Sequence, residues 1–600
     1  MSKLTKVFSM VIGVAMCFAT VTLATGCGEK IPEGTTRVRF TYEADMNINP
    51  TFYEMIRRYN DTQGKTDNVY VSADMVQGAG NMRATYEGQC ESSVVMLSDE
   101  VFKDIAIDGL FLDLTEYAER DQFDFSGMPT GLLNSARMTI GKKGEKTYTG
   151  EGQNLQAMPF GIDPFVLYIN RQNFENWGIN FISVAENELD AYNEEHGTHY
   201  MPHGYAEYAE GNAPATGLTL SENLAGEQVY KVFNNRISTN WEEFRYLAKC
   251  FTRSYRADSP TPNGFVTGWW FPFGWSVGGD CIGWDGEKYN FTLMDETPNY
   301  LATKEVTVNG KTYSAGDLIT YEDKVNADGI AGIDGLFELP SQREAVTEFL
   351  RYSLNRDYAV DGSGTEGYQI MPSNFALRLG NFTNNTVSMV CEQYSEQYYD
   401  MTSSNIRDKY DYAPVWQYRQ YQGGSTYQKN GSSGFENEYL KVIGNEYDGQ
   451  KFTGALEYEN GTPIVGASAV QGKGMYLVIP KNSDPAKYEA AWKFISWATG
   501  EEAQKIMTKA FVPVRQTVAE NEFLEFDSKY NLWAVAHTAM NFDIGDWSYF
   551  QNGEWVTDWS GDFNDQLRKG NQTIGDFLRY NESKASSACA NTNIVIKGRR

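Results

Sequence analysis

The sequence predicts an α/β fold, because strand-like and helix-like patterns alternate through its first hundred residues. Residues 37–42 (RVRFTY) alternate as a half-buried strand does, and residues 50–60 space their apolar side chains as one face of a helix. Residues 68–73 predict a second strand, and the continuous apolar run at 93–97 is typical of a strand buried in a parallel sheet. Strands that alternate with helices in this way indicate a parallel sheet.

Later segments continue the alternation and are interrupted by two stretches with little pattern. One helix is expected to begin after Asn240, a residue type that caps helix N-termini. The stretches 184–236 and 286–335 are predicted insertions, the second with a hairpin that turns on Asn309 and Gly310. The other predicted helices cover 101–118, 342–354, 486–497, 501–508 and much of 541–580, and the other predicted strands cover 165–169, 386–390 and a pair within 468–479.

The N-terminus has the composition of an export signal. Residues 1–6 carry two lysines and no acid, residues 7–24 are almost wholly apolar, and small residues precede Cys27. This arrangement is similar to a bacterial lipobox, in which Cys27 would be lipidated. We therefore expect residues 1–26 to be a lipoprotein signal peptide, 27–35 a tether, and the protein to be anchored outside the cell membrane. The alternative is an uncleaved membrane-spanning helix, since the apolar run approaches the length that spans a bilayer.

The composition argues against some partners and sites. The 600 residues carry a formal charge of −28, and a surface this acidic repels phosphate backbones, so we expect no nucleic-acid partner. Aromatic residues make up 14% of the chain, which suits contacts with sugars. The five cysteines beyond the N-terminal segment are scattered and show no CxxC spacing, so they predict neither a disulfide framework nor a zinc site.

A stretch rich in tryptophan and glycine stands out at residues 264–286 (GFVTGWWFPFGWSVGGDCIGWDG). So many glycines argue against a core helix, because each costs about 1 kcal/mol relative to alanine. Flat rings spaced by glycines suit a wall against which a flat ligand can lie. The alternative is a buried loop whose indoles fill a core, as large aromatic side chains usually do.

Six segments in a fixed order carry motifs of one family. They are VVMLSDEVFKDIAIDGLFLDLTEYA at 94–118, MPFGIDPFVLYINRQNFENWGIN at 158–180, TNWEEFRYLAK at 239–249, GWSVGGD at 274–280, NNTVSMV at 384–390 and IPKNSDPAKYEAAWKFISWATGEEAQKIM at 479–507. In this order, behind a lipobox, they resemble the extracellular solute-binding proteins of family 1, the maltose-binding-protein-like receptors of sugar ABC transporters.

The resemblance implies two α/β lobes joined by crossing segments, with the ligand in the cleft between them. The crossing segments would be 159–164, 465–470 and 511–513. One lobe would comprise 36–160 and 470–511, and the other 165–465 and 512–600. Ligands of open α/β sheets bind beyond the carboxyl ends of the strands, and two such lobes can close by a hinge.

The resemblance also indicates ligand-binding residues. Carboxylates accept hydrogen bonds from sugar hydroxyls, and aromatic rings stack on pyranose faces. We expect such residues at strand ends that face the cleft, although each one singly could be a surface or core residue. They are Glu43, Asp45, Ser98, Asp99, Asp163, Trp269, Trp270, Phe271, Trp275, Glu392, Tyr394, Trp547, Tyr549 and Trp555.

Other motifs carry little signal. The histidines His196, His199 and His203 fall within eight residues, and we interpret them as part of a solvated loop rather than a metal site. A P-loop motif is absent from the sequence. We therefore expect no metal and no cofactor.

Two functions remain open on the sequence. The preferred one is that of a monomeric, non-enzymatic lipoprotein that captures a carbohydrate and delivers it to the permease of an ABC transporter. The carbohydrate is expected to be an oligosaccharide. The ligand is expected to be neutral, because the candidate site has no arginine cluster to hold an anion. The alternative is a cell-surface glycoside hydrolase that uses two carboxylates. New reducing ends after incubation with oligosaccharides would distinguish the hydrolase.

Overall fold

The computed structural model describes most of the chain. The described residues are 31–43, 48–76, 82–142, 145–268, 271–355, 367–372, 378–394, 401, 404–421, 446–447, 450–451, 463–465, 472–541, 549–550 and 553–597. Within them, no helix is both long and apolar enough to cross a membrane.

The described strands are numbered in chain order. They are β1 (Thr36–Glu43), β2 (Val69–Val76), β3 (Val94–Ser98), β4 (Met138–Thr139), β5 (Thr147–Thr149), β6 (Met158–Ile169), β7 (Ile179–Ile182), β8 (Tyr205–Ala209), β9 (Ser221–Glu222), β10 (Gln228–Asn234), β11 (Asn263–Val266), β12 (Ile282–Trp284), β13 (Tyr289–Phe291), β14 (Asn299–Ala302), β15 (Val306–Val308), β16 (Lys311–Tyr313), β17 (Leu336–Leu339), β18 (Val387–Gln393), β19 (Asp411–Ala413), β20 (Arg419–Tyr421), β21 (Glu446–Tyr447), β22 (Gln450–Lys451), β23 (Pro463–Val465), β24 (Gly472–Val478) and β25 (Val595–Lys597).

The described α-helices are numbered in the same way. They are α1 (Asn49–Asp61), α2 (Gln63–Asp67), α3 (Met82–Glu87), α4 (Asp99–Ala106), α5 (Thr115–Arg120), α6 (Thr130–Ala136), α7 (Arg171–Asn176), α8 (Leu189–His196), α9 (Trp241–Cys250), α10 (Phe271–Trp275), α11 (Tyr321–Asn326), α12 (Gln342–Ser353), α13 (Arg378–Thr383), α14 (Tyr488–Ala498), α15 (Glu501–Met507), α16 (Gln516–Ala519), α17 (Glu522–Glu525), α18 (Leu532–Met540), α19 (Gly553–Asp562) and α20 (Ile574–Thr592). A π-helical turn covers Phe563–Leu567, and short 3-10 helices cover Glu186–Glu188, Ile330–Gly332 and Pro485–Lys487.

One large sheet forms the centre of the described fold. Its strand order is β11-β18-β6-β24-β3-β1-β2, and β19 also pairs with β6. The pairs β1–β2, β1–β3 and β11–β18 are parallel, as the alternation of strands and helices predicts. The pairs that involve β24, and those of β18 and β19 with β6, are antiparallel, so the sheet is mixed rather than wholly parallel.

Strand β6 connects the two halves of this sheet. Its first residues pair with β24, as far as Pro164 opposite Gly472, and its last residues pair with β18 from Phe165 onwards. All twelve residues of β6 are buried. Beside the same stretch, Ile162 and Val512 form an isolated bridge with hydrogen bonds in both directions. The pairing partner of β6 therefore changes between Pro164 and Phe165, and two residues before that point Ile162 contacts a second segment at Val512.

The first half of the sheet is covered on one face by helices. Phe40 of β1 packs against Phe52 of α1 and Phe494 of α14, with ring centroids 5.9 and 5.4 Å apart. The alternation of β1 puts Val38, Phe40 and Tyr42 on this covered face, and all three are fully buried. The strand pattern that predicts β1 thus also predicts the face that its helices cover.

Local signals for helix starts and turns are confirmed at two positions. Asn240 caps α9 in a capping box, because its side chain accepts from the backbone of Glu243 while Glu243 accepts from the backbone of Asn240. The hairpin β15–β16 turns on Asn309 and Gly310, whose φ angles of 50° and 79° are those of a type I′ turn.

The two stretches expected to be insertions contain small sheets. In 184–236, β8, β9 and β10 join β7 in a four-stranded sheet. In 286–335, β14 pairs with β17, and β15–β16 packs with it around a small apolar core of its own. Most of these strands are short, so an alternating pattern of apolar and polar residues extends over too few positions to be recognised in the sequence.

Two sequence predictions of secondary structure are wrong. The strand pair expected within 468–479 is, in its described part, the single strand β24. Gly474 marks a close approach rather than a turn, since an added Cβ would lie 2.4 Å from Leu132 Cδ1. The helix expected at 101–118 is divided into α4 and α5, and Gly109 between them has a positive φ of 70°.

The C-terminal segment returns to the first part of the chain. β25 pairs in parallel with β5, which also pairs with β4. The backbone N–H of Thr147 donates to the carbonyl of Ile594 at 2.8 Å. Helix α20, which leads into β25, packs against β13 through contacts that include the bond from the Tyr289 N–H to Asn593.

Candidate functional site

The carboxyl ends of two strands lie near the middle of β6: that of β18 pairs with it, and that of β3 is one strand away across β24. β3 ends at Ser98, which lies opposite Met475 of β24, and two residues earlier in β24, Lys473 lies opposite Asp163 of β6. From the other half of the sheet, the last two residues of β18 lie opposite the two residues that follow Pro164. Because ligands of open α/β sheets bind beyond such strand ends, this junction is the candidate site.

Asp163 lies at the centre of the junction and is 1% exposed. The hydroxyl of Tyr168, five residues further along β6, donates to the carbonyls of Gln393 and Tyr394 at 3.0 and 3.3 Å. Burial raises the pKa of Tyr168, and nearby groups that include Asp163, Tyr394 and Glu392 raise it further. The pKa of one buried tyrosine is therefore raised in part by three residues that the sequence predicts for the site.

Ser98 and Asp99 form the turn from β3 into α4. Ser98 is the N-cap of the helix and Asp99, its first residue, is 1% exposed. Oδ1 of Asp99 has no hydrogen-bond partner within the described part of the chain. Burial raises the pKa of Asp99 from 3.8 to about 7, against the opposing effect of Lys103. A buried carboxyl oxygen with an unused acceptor site is suited to receive a hydroxyl donor.

Charges of alternating sign extend from Asp99 to Asp163. Glu100 is exposed by surface area, but nearby protein atoms partly desolvate its carboxylate. This desolvation raises the pKa of Glu100, while Lys473 and Lys103 lower it. Lys473 lies beside Asp163 in the strand register. The acids at this edge are thus accompanied by cations, which leaves the surface close to neutral. Lys103 and Lys473 are not among the residues that the sequence predicts for the site, because lysines carry no positional pattern before the strands are paired.

Tyr549 reaches this edge from the C-terminal part of the chain. Its ring lies over the buried ammonium group of Lys103, with 4.4 Å from Nζ to the ring centroid. Its carbonyl accepts a hydrogen bond from Thr592 Oγ1 of α20 at 2.8 Å. This cation–π contact joins α4 to the C-terminal segment beside Asp99. Tyr549 is itself 6% exposed, so most of its ring is packed.

Glu392 and Tyr394 lie at the end of β18. Glu392 is 3% exposed and forms an ion pair with Arg378, the first residue of α13. Tyr394 is 2% exposed and packs edge-on against Tyr412 and Phe523 at 5.6 and 5.7 Å. Both are buried against the protein, whereas the side chain of Arg378 is 28% exposed. Sequence reasoning missed Arg378, since no pattern surrounds it.

The described part of the aromatic stretch lies in the core. Phe273 packs against Trp416 and Trp241 with ring centroids 4.9 and 5.5 Å apart. Trp275 is 4% exposed, and Trp284 packs edge-on against Tyr289 at 5.0 Å. These rings fill the core, as the alternative reading of the stretch proposed.

The remaining predicted site residues divide between surface, core and undescribed segments. Glu43 is exposed at the end of β1. Trp555 is fully buried and packs against Phe550 and Trp559. The predictions that fall outside the described residues are Cys27, Asp45, Trp269, Trp270 and Trp547, together with the side chain of Phe271.

The histidines of 184–236 have separate environments. His203 is buried and hydrogen-bonded to Glu243 of α9, whereas His196 is exposed and stacks on Tyr192 within its own helix. Among the residues that the structure describes, no group of three histidine, cysteine, aspartate or glutamate side chains is arranged to hold a metal ion.

A pocket of about 340 Å³ lies at another place, on the polar face of β1 and β2. Ser92, which lines it, precedes β3, whereas Asp99 follows that strand, so the strand's length of about 16 Å separates them. Its lining residues, which include none of the predicted ligand-binding residues, are Arg39, Thr41, Asp74, Val76, Tyr86, Gln89, Glu91 and Ser92.

Comparison with known proteins identifies the fold and a family to which part of the chain is similar. Residues 380–531 match the family of bacterial extracellular solute-binding proteins. An ABC substrate-binding protein of Listeria monocytogenes, solved with cycloalternan, is 14% identical with a TM-score of 0.51, covering 92% of this chain and 98% of that one. A cyclic alpha-maltosyl-1,6-maltose binding protein of Arthrobacter globiformis is 13% identical with a TM-score of 0.50, covering 93% and 100%. No curated protein matches the sequence. The chain therefore has a type II periplasmic-binding-protein-like fold, and residues 380–531 are similar to the bacterial extracellular solute-binding proteins.

Proposed function

We propose that this protein captures a neutral oligosaccharide outside the cell membrane and delivers it to the permease of an ABC transporter, without chemical change. The observation that carries the proposal is the junction at Asp163. There the carboxyl end of β18 pairs with β6, the strand that connects the halves of the sheet, and the carboxyl end of β3 lies one strand away across β24. A ligand at this point would contact both halves and hold them together as they close.

The charges at the junction support a neutral ligand. Glu100 and Asp163 have Lys473 as a neighbour, Asp99 has Lys103, and Glu392 has Arg378. An anion would meet the carboxylates, and a cation would meet the lysines. Hydroxyl groups can donate to the carboxylates and accept from the cations, so a polyhydroxylated ligand fits both.

The ligands of the two similar structures support an oligosaccharide. One was solved in complex with cycloalternan, and the other binds cyclic alpha-maltosyl-1,6-maltose.

Calorimetric binding to a panel of oligosaccharides tests the proposal. The full chain should bind at least one member, and Asp163→Asn should weaken that binding with little change in melting temperature. Product analysis in the same samples should find no new reducing ends. Release of reducing ends would favour the glycoside hydrolase, and a panel without any binder would refute carbohydrate capture.

The proposal includes two lobes, 36–160 with 470–511 and 165–465 with 512–600. The change of pairing partner along β6 at Pro164 supports a boundary there. The pairing of β25, which belongs to the second proposed lobe, with β5 of the first adds a contact between the two lobes. Limited proteolysis with and without ligand should change cleavage near 159–164 and 511–513 if these segments are the hinge.

Anchoring through Cys27 is also proposed. The motive is the small-residue run that precedes this cysteine after a basic and apolar start. Cys27→Ala should release the protein from membranes or leave an unprocessed precursor. A variant that is processed and remains membrane-bound like the parent would contradict lipidation.

A further inference from the structure

Arg378 differs from most charged groups of the junction, because only part of its guanidinium group is hydrogen-bonded to the described part of the protein. Its Nε donates to the carboxylate of Glu392. Glu392 is 3% exposed and also accepts from the backbone N–H of Gln393, whereas the Arg378 side chain is 28% exposed. The acid is therefore fixed inside the protein, and the guanidinium group lies at the surface above it.

Gly268 makes room for this guanidinium group. Val266 of β11 pairs with Val390 of β18, so the chain beyond β11 continues alongside Glu392. A Cβ atom at Gly268 would lie 2.5 Å from Nη1 of Arg378 and 3.1 Å from its Cζ. Any side chain at position 268 would displace the guanidinium group. Glycine here permits a close approach of backbone and arginine.

The guanidinium group retains donors for a ligand. Arginine has five N–H groups in a planar fork, of which Nε–H is used by Glu392. Within the described residues, the hydrogen bonds of Arg378 go to Glu392 alone, which leaves the four N–H groups of Nη1 and Nη2. Two adjacent oxygen atoms can accept from such a fork at once.

The location places this fork at the candidate site. Glu392 lies opposite Val166 in the pairing of β18 with β6, and Asp163 is three residues before Val166. The buried Tyr168 is within electrostatic reach of both Glu392 and Asp163. Because Glu392 compensates the charge of Arg378, and Asp163 adds a further negative charge, adjacent hydroxyl groups are better acceptors here than a carboxylate or phosphate.

We propose that Arg378 is a ligand-binding residue that donates from both Nη groups to two adjacent hydroxyl groups of a neutral sugar. Glu392, expected from the sequence to contact the ligand directly, is instead a positioning residue that orients Arg378. This inference rests on the proposed function, since it names the chemistry by which the same cleft recognises its ligand.

The first experiment measures affinity in variants that alter the fork differently. The panel contains maltotetraose, cellotetraose, xylotetraose, mannotetraose and cycloalternan, and the tightest binder of the full-length parent is used. Arg378→Lys keeps the charge but removes the fork and should weaken binding about tenfold or more. Gly268→Ala should weaken binding in the same direction, because it displaces the guanidinium group. Glu392→Gln should weaken binding less, since it only loosens the orientation.

The control is the same substitution at another ion pair. Arg58 of α1 is paired with Glu502 of α15, and Arg58→Lys should leave affinity unchanged. Melting temperatures of Arg378→Lys and Gly268→Ala should stay close to the parent, because the atom displaced by an alanine is the far end of a flexible side chain. A variant that melts early and binds weakly would indicate a structural role and overturn the inference.

A second experiment separates recognition from structure by changing the ligand. Analogues of the bound sugar that lack one hydroxyl at a time are measured against the parent and Arg378→Lys. Removing the hydroxyl group at either of two adjacent positions should weaken binding to the parent. The same removal should change the affinity of Arg378→Lys little. Equal losses in both proteins would overturn the inference. Normal binding by Arg378→Lys, with loss in Asp163→Asn, would overturn it while the proposed function stands. Absence of any binder in the parent would refute both.

Discussion

Replacing Asp99 by asparagine should change stability in a way that depends on pH. Burial raises the pKa of Asp99 from 3.8 to about 7, which corresponds to about 4 kcal/mol of unfavourable free energy when the carboxyl is ionised. Below pH 3.8 the folded and unfolded chains both hold the proton. Between pH 3.8 and about 7 only the folded chain holds it, so the free energy of unfolding decreases as pH rises. Above about pH 7 both are ionised, and the full penalty is present.

Asparagine carries no such penalty, because it is neutral at every pH and similar in shape. At pH 5, which is already above the unfolded-state pKa of 3.8, Asp99→Asn should therefore be more stable than the parent by about 1.6 kcal/mol, and at pH 8 by up to about 4 kcal/mol. The assay is denaturant unfolding of both proteins at intervals from pH 5 to pH 8. A stability difference that does not vary over this range would refute the reasoning.

Glu242 provides a matched control for this experiment. It is 7% exposed in α9, and burial likewise raises its pKa to about 7. Glu242→Gln should show the same dependence on pH, because the physical cause is the same. Only Asp99→Asn should also change affinity for the oligosaccharide, since Glu242 lies on a helix away from the junction. Equal effects of both substitutions on affinity would contradict a ligand contact at Asp99.

Three further predictions concern packing. Gly161→Ala would place a Cβ 2.9 Å from Cβ of Phe511 and should cost about 1–3 kcal/mol in denaturant unfolding, so unchanged stability would contradict the close packing of the crossing. Trp275→Ala should cost about 3–5 kcal/mol because the indole is 4% exposed, and a stable variant with lost affinity would instead favour the ligand-binding wall. Tyr549→Leu and Lys103→Met, singly and together, should give a coupling energy of about 1–2 kcal/mol, and additive effects would argue against the cation–π contact.

Local structure was predictable because its causes are local. The alternation in β1 and the helical spacing of α1 reflect which side chains face a core, and a strand or helix carries that information within a few residues. The cap at Asn240 and the turn at Asn309 depend on one or two side chains. These elements therefore follow from the sequence, whichever partners they later acquire.

The composition of the site was less predictable because it depends on pairing between distant segments. Arg378 acquires its position from Glu392 in β18 and from Gly268, which lies two residues after β11. Lys473 becomes a neighbour of Asp163 only through the register of β24 with β6. Tryptophans raise a different difficulty, since the same ring serves a core or a ligand surface. For Trp275, the sequence allows both roles, and only the folded structure shows that the ring is buried.

The order of strands in the central sheet has a consequence for how the protein is made. β24, formed by residues 472–478, lies between β3 and β6, which are both complete by residue 169. During synthesis from the N-terminus, the edges of β3 and β6 that pair with β24 stay unpaired until β24 has been made. Such non-local pairing slows folding and leaves edges open to aggregation. We expect chains truncated before residue 472 to accumulate bound to chaperones or as degraded fragments, while chains extending past 478 acquire protease resistance.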